Sequence, residues 1–159
     1  MKSQRKWFVG IAACLICLSA GLLGANAVRS DNVNPTNSWV DFYSTASTYL
    51  GAPVPVGAEI AIFDPQGVRC GEFIVNQAGA YGIIPCYGDD PTTPLDEGAM
   101  LGDVLHFTIN GSAAQTEAIA VNGVPVASGM VVIWSPVQEL WEVNLHVEVS
   151  KTPTPTATP

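Results

Sequence analysis

Glu139-Leu140-Trp141-Glu142-Val143-Asn144-Leu145-His146-Val147-Glu148-Val149 alternates without a break. Trp141, Val143, Leu145, Val147 and Val149 share one side, and Glu142, Asn144, His146 and Glu148 the other. Side chains of a strand point alternately to opposite faces, so this period of two predicts a half-buried strand. Asp103 to Ile109 repeats the pattern, with Leu105, Phe107 and Ile109 on one side. It runs into Asn110-Gly111, the pair favoured in two-residue hairpin turns, and Ser112 to Val121 returns. Asn122-Gly123 marks a further turn.

Upstream, Ser38 to Tyr43 and Glu59 to Phe63 read as strands. Asp64-Pro65-Gln66-Gly67 carries Asp, Pro and Gly where a type I turn prefers them, and Val68 to Val75 follows. Leu50 to Gly57 holds two prolines that cannot donate to a ladder, so it is a connection or an edge. Ala80 to Cys86 and Met130 to Trp134 complete the set. No segment shows a sustained helical period with caps. The expected fold is all-β, a single antiparallel β-sandwich of seven or eight strands over residues 38–149, with a small closed barrel as the alternative.

Both ends differ in character. Lys2, Arg5 and Lys6 precede the uncharged apolar run Trp7 to Leu23, and Ala25-Asn26-Ala27 supplies a small-x-small cleavage site. Residues 1–27 therefore read as a signal peptide cut before Val28, and residues 28–37 as a loose polar lead-in. An uncleaved anchor is the competing reading, and Ile11-Ala12-Ala13-Cys14 imitates a lipoprotein box. From residue 150 the chain becomes a Thr-Pro tail that favours extended, uncored conformations and reads as a disordered linker or stalk.

Removing the leader takes three of the six Lys and Arg and none of the fourteen Asp and Glu, leaving a net charge of −11. Such a chain repels nucleic acid and anionic membrane. The expected location is extracellular or at the cell surface, with a protein or polysaccharide partner and membrane contact only through the uncleaved leader. Cys70 and Cys86 remain as an even pair in an oxidising compartment and predict one disulfide. If they are cross-strand neighbours, Val68–Val75 and Ala80–Cys86 form a hairpin in which Phe73 faces Ile83 and Val75 faces Tyr81. Pro85 fits that hairpin poorly.

Residues 87–102 carry no strand or helix pattern, and a loop of that length in a small domain is commonly functional or ion-bound. Asp89, Asp90, Asp96 and Glu97, followed by Asp103, are the candidate ligands for a structural calcium ion. They do not follow the EF-hand spacing, and the competing reading is a solvated loop. No other cofactor is expected. Trp39 and Trp134 are candidates for a sugar-stacking platform, against the alternative of core packing. Asn110-Gly111-Ser112 matches a glycosylation sequon but reads better as turn chemistry. There is no Gly-x-Ser-x-Gly elbow, His-Glu-x-x-His pair or phosphate loop, and only two histidines are present. The chain is expected not to be an enzyme.

Pro53-Val54-Pro55-Val56-Gly57-Ala58, Phe63-Asp64-Pro65-Gln66-Gly67-Val68, Cys70-Gly71-Glu72-Phe73 and Gly79-Ala80-Tyr81-Gly82 together resemble a recurring module of secreted bacterial proteins. The likeness continues through Gly88-Asp89-Asp90-Pro91, Asp96-Glu97-Gly98-Ala99, Gly102-Asp103 and Ile109-Asn110-Gly111, covering about residues 37–112. Such modules are similar in style to carboxypeptidase-regulatory-like and prealbumin-like sandwiches. The resemblance implies a surface module with an adhesion, scaffolding or spacer role and carries over no site residues. A carbohydrate-binding module is the alternative expectation, and a small secreted hydrolase the third.

Overall fold

The computed structural model describes residues 28–29 and 32–149. The segment expected to be a signal peptide (1–27) and the Thr-Pro tail (150–159) lie outside the described residues. Twelve strands occur among those described, and no helix: β1 (Val28–Arg29), β2 (Trp39–Ser44), β3 (Thr48–Tyr49), β4 (Ala52–Pro53), β5 (Glu59–Phe63), β6 (Arg69–Ile74), β7 (Tyr81–Tyr87), β8 (Leu95–Asp96), β9 (His106–Ile109), β10 (Ser112–Val121), β11 (Val124–Pro125) and β12 (Leu140–Val147). Five of these are two residues long, and the seven longer ones form the body of the fold.

The seven pair in the order β7-β2-β12-β10-β9-β5-β6. β10 is long enough to serve two ladders. Ser112–Ala114 pair with β9, and Gln115–Val121 pair with β12. At the far ends of this order, β6 and β7 meet through the Cys70–Cys86 disulfide, with a Cα–Cα distance of 4.5 Å. The ladder therefore returns on itself, joined on one side by the shared strand and on the other by a covalent bond.

Inside lie Val40 and Phe42 of β2, Ile60 and Ile62 of β5, Phe107 and Ile109 of β9, and Val143 and Leu145 of β12. Phe42 and Phe107 meet edge to face, ring centroids 5.4 Å apart. The alternation read from the sequence explains why these residues point inward. Val149 falls beyond the end of β12 and is exposed.

The sheet is mixed, not antiparallel as expected. β12 runs antiparallel to β10 but parallel to β2 and to β3. β2 and β3 follow one another along the same edge of β12, and between them the main-chain pairing stops. A buried polar group fills the gap. The Ser44 hydroxyl donates to Asn144 Oδ1 at 3.0 Å, Ala46 N donates to the same oxygen at 3.1 Å, and Leu145 N donates to Ser47 Oγ at 2.9 Å. These bonds stand in for the ladder there, and among the described residues no buried side-chain nitrogen or oxygen lacks a partner.

The expected hairpin between Val68–Val75 and Ala80–Cys86 does not form. β6 pairs with β5, and β7 pairs with β2. The disulfide itself is present, made possible by a bulge. Gly71 pairs with Ile62 and Arg69 with Phe63, leaving Cys70 as the extra residue. A bulge re-aims a side chain, here toward β7. Pro85 completes the explanation. Asp41, its register partner, donates its N–H to Glu139 of the opposite neighbour, so this is a non-hydrogen-bonded pair. The donor-less nitrogen of Pro85 then faces away from β2, toward the seam, where a ladder to β6 needs a donor. Phe73 packs on Gly82, and Ile83, its expected partner, is exposed.

Met130 to Trp134 is not a strand. Val132 and Trp134 are buried, but the pairing is limited to a single bridge, Val104 to Ile133. Around that bridge Leu105 N donates to the Val132 carbonyl and Trp134 N to the Asp103 carbonyl. Both Asn-Gly pairs are hairpin turns. Asn110 and Asn122 have φ of 50°, and the glycines that follow have 75° and 76°, as such turns demand.

Candidate functional site

The 87–103 segment is better organised than its sequence suggests. β8 pairs in parallel with β1, Val28 opposite Leu95 and Arg29 opposite Asp96. The lead-in is thus tied down at two places, because Thr36 Oγ1 also donates to the Gly88 carbonyl at 2.8 Å. Gly88 bridges to Ala99, and Asp89 N donates to the Ala99 carbonyl. Two glycines permit this closure. A Cβ on Gly88 would meet the Trp134 ring at 2.3 Å, and one on Gly98 would meet the Tyr87 carbonyl at 2.2 Å. Trp134 lies beneath the loop, 4% exposed, its indole N–H donating to the Cys86 carbonyl at 3.1 Å.

The acidic residues serve several different local purposes. Asp90 Oδ1 accepts from the Thr92 hydroxyl and amide, at 2.7 and 2.9 Å, which holds its carboxyl below the usual range. Glu97 is buried and accepts from the Thr93 hydroxyl and from Asp90 N, and the Thr93 bond chiefly keeps it ionised. Asp89 is pushed up by partial burial, beside Glu97, whose amide it accepts. Asp96 sits on β8, and Asp103 closes a separate turn by accepting from Met100 N at 2.8 Å. The five residues expected around calcium are therefore divided among different hydrogen bonds. Among the described residues, no group of three or more His, Cys, Asp or Glu side chains is arranged to hold a metal ion. Threonine hydroxyls and backbone amides tie Asp90 and Glu97 into the loop's own hydrogen bonds.

Asp64, in the neighbouring turn, is the most enclosed carboxyl, 2% exposed. It accepts from Val68 N at 2.7 Å, and Gly67 N donates to its carbonyl, closing the expected turn. Burial pushes its carboxyl above the ordinary 3.8, the Asp96 charge adds to this, and the amides of Val68, Gln66 and Gly67 oppose it. The folded state thus holds this proton more tightly than the unfolded chain does. Stability is undiminished below the ordinary carboxylate value and falls as pH rises through the folded one. Asp64→Asn keeps the acceptor and removes the charge. The variant is expected to gain on the wild type as pH rises from about 3 to 7, read by urea unfolding. A stability difference that does not vary with pH contradicts the assignment.

The two candidate sugar-stacking rings do not form a platform. Trp134 is buried. Trp39 is half-buried against Tyr87, with centroids 6.5 Å apart and planes tilted by 57°. A groove beside them is lined by Thr36, Ser38, Asp89 and Asp90. On the outer face of the sheet, Thr48 Oγ1 lies 2.9 Å from His146 Nδ1, and His146 Nε2 lies 3.4 Å from Glu117. A hydroxyl, an imidazole and a carboxylate in a row suggest a nucleophile and base. Here they stand on neighbouring strands of an open sheet face, a geometry that also suits ordinary cross-strand pairing.

The turn asparagines have a second role that no local sequence signal marks. Asn110 Oδ1 accepts from Glu59 N, and Asn122 Oδ1 accepts from Leu140 N, both at 2.9 Å. Each turn thereby fastens the first residue of a strand outside its own hairpin. Asn-Gly signals the turn, but nothing in the sequence names the strand it reaches.

These features define an all-β domain with a mixed sheet and one buried disulfide. No family model matches the chain, and neither does any curated protein or solved structure.

Proposed function

We propose that this chain is an exported, non-catalytic module, a β-sandwich of the carboxypeptidase-regulatory-like style that acts in adhesion, scaffolding or spacing outside the cell. In this reading the leader is cut before Val28, and the Thr-Pro tail is a linker at the cell surface. The Cys70–Cys86 bridge carries it, because a structural disulfide belongs to an oxidising compartment and agrees with the leader. The sandwich reading rests on the strand order: β10 serves two ladders, and the disulfide ties the outermost strands. The non-catalytic reading rests on the polar groups, since Asp64, Asp90, Glu97 and Asp103 are engaged by their own turns.

Co-sedimentation of the mature chain with insoluble polysaccharides and cell walls, with calcium and with chelator, separates this from its rivals. The proposal expects no saturable binding to a polysaccharide and no response to chelator. Saturable binding to one polymer that is lost on Trp39→Ala makes it a carbohydrate-binding module instead.

A further inference from the structure

The placement of β2 and β12 bears on how the molecule responds to tension. They are the first and last of the seven long strands, and they run parallel, with Asp41 opposite Leu140, Phe42 opposite Trp141 and Tyr43 opposite Glu142. A pull on the N-terminal side draws β2 one way, and a pull on the tail draws β12 the other. Parallel neighbours drawn in opposite senses slide along each other, so their cross-strand bonds are loaded together. Antiparallel neighbours drawn apart from one end open bond by bond.

Neither strand lies at an edge. β2 is flanked by β12 and β7, and β12 by β10 on one side and by β2 and β3 on the other. Extraction of either must break two ladders. Where the main-chain ladder lapses between β2 and β3, the Ser44, Ser47 and Asn144 group continues the attachment to β12. At the upper end Leu50 N donates to the Val147 carbonyl at 2.7 Å, tying down the last residue of β12. The disulfide also prevents β6 and β7 from separating.

We infer that this module bears load: the β2–β12 pair is a shear clamp that keeps the domain folded while the Thr-Pro tail transmits tension. The inference deepens the proposed function and rests on its reading of the tail as a tether. Any hold on the body of the domain, opposed by a pull on the tail, loads β12 along its axis. Forced unfolding is governed by the barrier and not by equilibrium stability, so geometry decides the outcome.

Single-molecule force spectroscopy on the mature chain tests this with two attachment geometries. Handles at the two termini load the clamp in shear. Handles at exposed Ala113 and Val149 flank the end where β10 enters and β12 leaves, with both strands and their connection between them, and open that antiparallel ladder progressively. The terminal geometry is expected to need a several-fold higher rupture force at the same loading rate. Asn144→Ala should lower the terminal force and leave the other nearly unchanged. Reducing the disulfide should lengthen the terminal unfolding step by about 50 Å, the reach of the 16-residue separation it closes. Equal forces in the two geometries, or a terminal force indifferent to Asn144→Ala, overturn the clamp. The tether reading is tested separately, by locating the chain in cell fractions: a cytoplasmic chain would fail that reading and leave the measured forces unchanged.

Discussion

Phe42→Ala is expected to lose about 3–5 kcal/mol of stability, the range for truncating an enclosed phenylalanine. Phe42 is fully buried, projects from β2, and meets Phe107 of β9 edge to face at 5.4 Å. It therefore joins the β7-β2-β12 part of the sheet order to the β9-β5-β6 part. Truncation removes apolar area from the core and leaves a cavity bounded by backbone that the disulfide and the shared strand β10 hold in place. Little collapse is available, so the effect should fall toward the upper part of that range. Urea unfolding with a two-state fit measures it, with Ile83→Ala as the control. Ile83 is 61% exposed, and its truncation should change stability by no more than about 0.5 kcal/mol. A loss below about 1 kcal/mol for Phe42→Ala would mean that the two parts do not share this core.

The second large effect belongs to the seam. Replacing both Cys70 and Cys86 with alanine should cost about 3 kcal/mol, the closure entropy of a loop with a sequence separation of 16. For a domain of this size that corresponds to a melting temperature lower by roughly 10 °C. The urea dependence should steepen as well, because an unfolded chain freed of the cross-link exposes more surface. Both cysteines are fully buried, so two alanines leave a void but no unpaired polar group. The bulge at Cys70 and the approach of Gly71 to the Pro85 carbonyl remain in the variant, so the strand order should survive. Unchanged stability would show that packing alone holds β6 against β7.

Much of this fold can be read locally. Alternation in Asp103–Ile109 and Leu140–Val147 identifies β9 and β12, and the turn signals at Asp64–Gly67 and the Asn-Gly pairs mark the ends of β5 and β10. Period two assigns a residue to a face but not a strand to a neighbour. The parallel pairing of β2 with β12 joins residues about a hundred positions apart, so the expectation of an antiparallel sheet failed there. The cysteine pair was legible from compartment and count, whereas the bulge that aims Cys70 was not. The cross-strand register that the pair implies suits a hairpin as well as it suits two strands that meet without ladder hydrogen bonds.

The site was harder to read for a related reason. Asp89, Asp90, Asp96, Glu97 and Asp103 are close in sequence, and closeness suggested convergence on an ion. The intervening Thr92 and Thr93, unremarkable in composition, draw Asp90 and Glu97 into the loop's own hydrogen bonds. Asn144 lies on the polar side of its strand and is nevertheless buried, because the break between β2 and β3 brings Ser44, Ala46 and Ser47 over it. Neither fact is encoded in a window of a few residues.

The measurement that bears most directly on the central claim is the intact mass of the chain recovered from the medium or envelope of a bacterial host expressing the full sequence. The account predicts a species beginning at Val28 and two hydrogens lighter than its reduced form, restored to the reduced mass by a thiol reductant under denaturing conditions. A full-length chain recovered from the cytoplasm with Cys70 and Cys86 as free thiols would contradict it.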